Sequence, residues 1–233
     1  MAFNILFSIS FLIALVIFIV LLGISIKKYP EPVDESKLPK YIPRIPTSDE
    51  YDTNHMPPRK KYSIMSRMIS GLGNLFNGGA KYFNAAVKLI GIFLAIMGCQ
   101  IFLELPAHWT TCLGCIFFII GGVGMFLLGI YTENRHAKHG IVANICFGGF
   151  FGSSVVLIYP MLVSGLFWSG FIIFNVIIII SILYYFYSMR NFNVPLEMQD
   201  TRPEQLSKNY DFSEWMLFFS VFAWIVMIFF SLI

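Results

Sequence analysis

The chain has 233 residues, 57% hydrophobic and only 12% charged, with a formal net charge of +3. That composition excludes an ordinary soluble domain, which carries about twice the share of charged residues. The small net charge, with basic residues scattered at the edges of apolar blocks, argues against a nucleic-acid partner.

The first apolar block, residues 3–26, is too long for the core of a signal peptide. No positive region precedes it and no small-x-small cleavage site follows, so it reads as a membrane helix. Residues 27–62 differ sharply, holding seven of the eleven prolines: Pro30, Pro32, Pro39, Pro43, Pro46, Pro57 and Pro58. Repeated proline forbids helix and central strand, and predicts an extended segment at the membrane surface, suited to lying along a neighbour. Residues 63–83 are amphipathic and then glycine-rich. They predict a short interfacial helix near 62–70 and an irregular approach to the next span.

Five more blocks are long enough to cross a bilayer at about 1.5 Å per residue: 84–105, 110–131, 139–163, 166–189 and 212–233. "ELPAHW" (104–109) is a tight turn with an interfacial Trp109, and "SGLFWSG" (164–170) marks the next break. Length alone excludes one helix over 139–189. The loop at 190–211 is polar and carries Pro195 and Pro203. The predicted fold is all-α, a polytopic bundle of six transmembrane helices. It divides into a first helix (1–26), a polar proline-rich loop with a short interfacial helix (27–83), and a five-helix bundle (84–233).

Within the spans, "GGVG" (121–124) and "FGGFFGSS" (147–154) offer small residues for close helix contact, with Gly148 and Gly152 forming a GxxxG. Cys112 and Cys115 have CxxC spacing, but no second CxxC and no neighbouring histidine accompanies them. With Cys99 and Cys146 they read as buried small hydrophobes. No cofactor is called for, and no metal can be named.

Six spans put the loops 27–83, 132–138 and 190–211 on one side. These hold ten, two and three Lys or Arg residues respectively, and the opposite loops hold none. By the positive-inside rule that side is cytoplasmic and both termini face out.

Three stretches resemble the membrane superfamily that groups the DUF998 proteins with the Frag1/DRAM/Sfk1 proteins. "ISGLGNLFN" (69–77) is similar to the family's "ISDLG…FN" ahead of its second helix. "GGVGMFLLGIYTENRHAKHGIVANICFGG" (121–149) is similar to its glycine-rich third helix, a Glu, a His about six residues on, and a Phe-Gly fourth helix. "SEWMLFFSVFAW" (213–224) resembles the opening of its last helix. The resemblance spans about residues 63–233. It implies a lipid-associated role and places the family's polar positions on Glu133, His139, Glu214 and Ser70. Gly71 stands where the family has Asp, which counts against catalysis at that stretch. The resemblance also implies cytoplasmic termini, the reverse of the charge count.

Glu133, His139, Glu214 and Ser70 lie near helix ends on one side and would converge on a pocket only if the helices bring them together. Such a set suits a lipid headgroup, a hard cation, or acid/base work on a lipid ester, so whether the chain is an enzyme stays open. The bland alternative is equally concrete. Glu133 would offset a helix dipole, and Ser213 and Glu214 would fall in the first turn of the last helix, where Asp211 or Ser213 could cap it. The partners implied are membrane lipids, and other membrane subunits through residues 27–62. The leading function is a lipid-associated integral membrane protein; the alternative is a structural accessory subunit of a larger membrane complex.

Overall fold

A computed structural model describes residues 2–29, 69–75, 78–132, 136–167, 170–192 and 204–232. The proline-rich segment and the predicted helix near 62–70 fall almost wholly outside these, as does Glu133. Among the described residues the chain is all helix. The elements are α1 (Ala2–Lys28), a 3-10 turn (Ser70–Gly73), α2 (Ala80–Glu104), α3 (Trp109–Leu128), α4 (His136–Val156), α5 (Ile158–Ser164), α6 (Phe171–Phe192) and α7 (Glu204–Ser231). Among the described residues six helices are long and apolar enough to cross a membrane. The protein is a multi-pass integral membrane protein, built of helices because a bilayer offers no water to satisfy an open backbone.

The breaks have local causes. Pro160 lacks an N–H and its ring crowds the carbonyl four residues back, so the ladder breaks after Val156 and resumes in α5. Leu157 N–H still donates to Ser153 O at 2.9 Å and Met161 N–H to Leu157 O at 3.0 Å, so α4 and α5 form one bent span. It ends at Gly165, whose φ of 68° is the left-handed conformation that closes a helix. At the other tight turn, His108 Nδ1 accepts from the Thr110 N–H at 3.3 Å and caps α3. Thr111 Oγ donates to Pro106 O at 2.7 Å. The last helix begins at Glu204, well before residue 212, so Ser213 and Glu214 lie more than two turns inside it. The reading of Asp211 or Ser213 as its N-cap is therefore corrected.

Two modes of packing build the bundle. Around α3 the contacts are made by small residues, which let backbones approach closely. A Cβ on Gly91 of α2 would lie 2.4 Å from Phe126 N, and one on Gly122 of α3 would lie 2.5 Å from Ala95 N. On the other face of α3, a Cβ on Gly124 would meet Cys146 N at 2.7 Å, and one on Gly149 would meet Gly121 N at 2.5 Å. Gly148 has nothing within 4 Å of its Cβ position. The expected Gly148/Gly152 pair is therefore corrected. Gly149 makes the backbone contact, and Gly152 lies under the Phe117 ring.

Elsewhere the helices meet through aromatic rings. Phe11 of α1 lies 4.5 Å from Phe229 of α7, and Phe18 lies 5.8 Å from Phe222. Trp224 of α7 contacts Phe118 of α3 and Phe171 of α6. Polar pairs tie α6 to α7. Trp224 Nε1 donates to Asn175 Oδ1 at 3.1 Å, and the Ser181 and Ser220 hydroxyls lie 2.7 Å apart. Asn175 Nδ2 donates to Phe171 O, and of the two serine hydroxyls one donates to its partner serine while the other donates to the carbonyl one turn back, so these polar groups are satisfied within hydrocarbon.

Gly149→Ala should lower stability in detergent by about 1–3 kcal/mol, because the added methyl meets backbone that cannot rotate away. Gly148→Ala should fall within about 0.5 kcal/mol of the parent. Thermal unfolding of the two variants side by side checks the assignment of faces.

Candidate functional site

One end of the bundle carries Ser70, Asn84, His139 and Glu214. The C-terminal ends of α1, α3 and α6 meet there with the N-terminal ends of α2, α4 and α7. The 3-10 turn at Ser70–Gly73 sits among them as the chain approaches α2. Its apolar side is anchored, with Leu72 fully buried and Ile69 nearly so. Its carbonyl side is held by Asn84 Nδ2, which donates to Gly73 O at 3.1 Å. The glycines leave little room: a Cβ on Gly73 would lie 2.7 Å from Asn84 Oδ1 and 3.1 Å from the Phe83 ring, so both side chains would have to shift. At Gly79 it would run into the backbone of Ser25 in α1.

The polar side of the turn faces α7. The Ser70 backbone N–H and the Ser70 hydroxyl both donate to Glu214 Oε2, each at 3.3 Å. Glu214 is only 6% exposed, and its neighbours Ser213 and Trp215 are fully or almost fully buried. An acid this enclosed at the edge of a membrane span is expensive to bury, and donors directed at it offset part of that cost. Ser70 and Glu214, separated by 144 positions in sequence, are thus brought into contact.

His139 is used differently. It lies in the first turn of α4, where its Nδ1 bonds to Tyr131 O at 2.8 Å and closes the connection from α3. That bond requires a proton on Nδ1, so the neutral ring presents Nε2 as an acceptor. Lys138 places its ammonium 5.8 Å from the centre of the Tyr131 ring, which draws together the same connection. Glu133 lies outside the described residues. Among the described residues, no three His, Cys, Asp or Glu side chains form a group able to hold a metal ion. The four cysteines are free thiols, with Cys99 and Cys112 exposed and Cys115 and Cys146 buried.

Sequence reasoning missed Asn84, which fixes the turn that carries Ser70. The available signal was an amide in the first turns of an apolar helix, where a polar group must find a partner. It also missed an apolar crevice within the bundle, whose walls come from α1, α2, α3, α4 and α7.

A six-span helical membrane protein with a buried carboxyl clasped by a preceding turn is the class this architecture defines. The chain belongs to the DUF998 family, a protein family of unknown function whose model matches residues 58–231. No curated protein and no solved structure matches the chain.

Ser70→Ala should cost about 0.5–1.5 kcal/mol, the net value of one hydroxyl hydrogen bond. Combined with Glu214→Ala the losses should be non-additive by at least about 0.5 kcal/mol, as for residues in direct contact. Unfolding of the two single variants and the double variant in detergent measures that coupling. Additive losses would show that the two side chains act independently.

Proposed function

We propose that this protein is a lipid-associated membrane protein that holds a lipid headgroup at the polar end of its bundle, around Ser70 and Glu214. The observation that carries the reading is the nearly enclosed Glu214 carboxyl, contacted twice by the Ser70 turn at the start of the membrane-crossing stretch of α7. A charged group in a membrane span is a functional-site hypothesis by default. The motif resemblance to the wider Frag1/DRAM/Sfk1 grouping points the same way. Binding fits better than lipid turnover, because Gly71 replaces the family's Asp and leaves this stretch without a second acid. His139, one helix over, is engaged in holding the α3–α4 connection.

The accessory-subunit alternative rests on residues 27–62, and no described contact favours it. The test is lipid retention. Protein released from membranes in mild detergent should carry bound lipid in native mass spectrometry, and Glu214→Gln should reduce the occupied fraction severalfold with the fold intact by circular dichroism. Equal lipid occupancy in the parent and Glu214→Gln would overturn the assignment of the headgroup to this end of the bundle.

A further inference from the structure

Lys88 stands more than two turns inside α2 and takes no part in the contact between Ser70 and Glu214. Its stem is packed against the end of α3. A Cβ on Gly129 would lie 2.5 Å from Lys88 Cγ and 2.6 Å from Asn84 O. The α3 span closes one residue earlier, at Leu128. The Lys88 stem is therefore already level with the end of a neighbouring span at Cγ. Side chains on a helix lean toward its N-terminus, here the polar end, so the remaining atoms carry the ammonium to the membrane surface.

That ammonium has three donors to satisfy. Among the described residues it makes no hydrogen bond and no ion pair. Neither α2 nor α3 offers an acid there, since Glu104, the only acid of the two helices, sits at the opposite end of α2. Lys81 precedes Lys88 by seven positions, on the same helical stripe. Its ammonium lies 4.9 Å from the centre of the Tyr82 ring and also has no acid partner among the described residues. Toward the bilayer centre the stripe continues as Ile92 and Ile96, both exposed. Read from the polar end inward, the outer face of α2 is two uncompensated ammoniums followed by hydrocarbon.

A face exposed to the bilayer is covered by lipid, and the charges on it decide which lipid. A cation this far along a span needs acceptors, and the phosphate of a phospholipid supplies charged ones. A zwitterionic headgroup brings its own ammonium, which the two lysines repel. We infer that the outer face of α2 at the polar end holds an anionic phospholipid, with its phosphate on Lys88, its headgroup toward Lys81 and its chains along Ile92 and Ile96. This site is separate from the headgroup reading above. The Ser70–Glu214 contact is enclosed in the bundle and brings a negative charge, whereas Lys88 and Lys81 lie on the lipid side of α2 and bring positive ones.

The experiment titrates the full chain, released in mild detergent, with phosphatidylglycerol and with phosphatidylcholine of the same chains. Bound lipid is counted by native mass spectrometry. Phosphatidylglycerol should bind the parent severalfold more tightly. Lys88→Gln should weaken its binding about fivefold, the share of one lysine, and leave phosphatidylcholine within about twofold. Lys88→Arg should retain the preference. Lys27→Gln removes an exposed charge at the same end from α1 and should move either lipid by no more than about twofold. Excess inorganic phosphate should not displace phosphatidylglycerol, because it has no chains to lie on Ile92 and Ile96. Thermal unfolding of each variant confirms a folded protein. Equal affinity of the parent for the two lipids would overturn the inference, and that comparison needs no variant. So would a preference that survives Lys88→Gln, or a loss in Lys27→Gln as large as in Lys88→Gln. Displacement by inorganic phosphate would also overturn it, by marking a site for a free anion.

Discussion

Everything in this bundle is arranged around the close approach that glycine permits on two faces of α3. Gly122 faces α2 and Gly124 faces α4, and neither position has room for a Cβ. Helix association in lipid gains little from hydrophobic burial, so contact distance and shape decide it. The α2–α3–α4 unit is mated backbone to backbone and has little freedom to shear. The other helices are mated by large rings, which hold them further away and leave gaps that rings fill incompletely. The apolar crevice opens at the junction between the two modes, where α1 and α7 face the glycine-packed unit.

Polar groups follow the same division. Between α6 and α7 they are closed on themselves, Asn175 with Trp224 and Phe171 O and Ser181 with Ser220, whereas Gln100 Oε1 in α2 and Ser153 Oγ in α4 are buried without a hydrogen-bond partner. These pairs fix α6 against α7 and leave little to offer a ligand. The polar end differs. There the partners come from a 3-10 turn outside the spans, whose place is set by Asn84 and by crowding at Gly73 and Gly79. The same residues that bring the chain onto α2 therefore decide where Ser70 stands relative to Glu214.

The sequence shows the spans clearly because hydrocarbon demands unbroken apolar runs, and six were legible from 3–26 through 212–233. Boundaries moved where chemistry permitted a helix to continue. The last helix runs back to Glu204 because nothing between 204 and 212 forbids it, proline stopping at Pro203. Helix faces were harder to read. Gly148 and Gly149 are adjacent and chemically identical, and only the rotation of α4 about its axis distinguishes the one that touches α3. For the site, the family resemblance alone singled out Ser70 and Glu214, and it did so separately. Their contact crosses 144 positions and depends on the turn, which no periodicity reports. A lone amide in an apolar helix signals that Asn84 must find a partner, but nothing in the sequence identifies that partner as Gly73 O.

Glu214 links these parts. It sits more than two turns inside α7, at the start of its membrane-crossing stretch, and is enclosed almost completely. An acid in that position requires donors, and Ser70 supplies two of them from a turn that is not part of any span. Moving the turn would expose the carboxyl to hydrocarbon or to water, and the cost would be felt along α7, the most enclosed of the spans. The turn and α7 are thus thermodynamically coupled. Any group that binds Glu214 must either join the Ser70 donors or replace them. In the second case the turn would lose its hold on α7, and the change would be felt in the span that Glu214 begins.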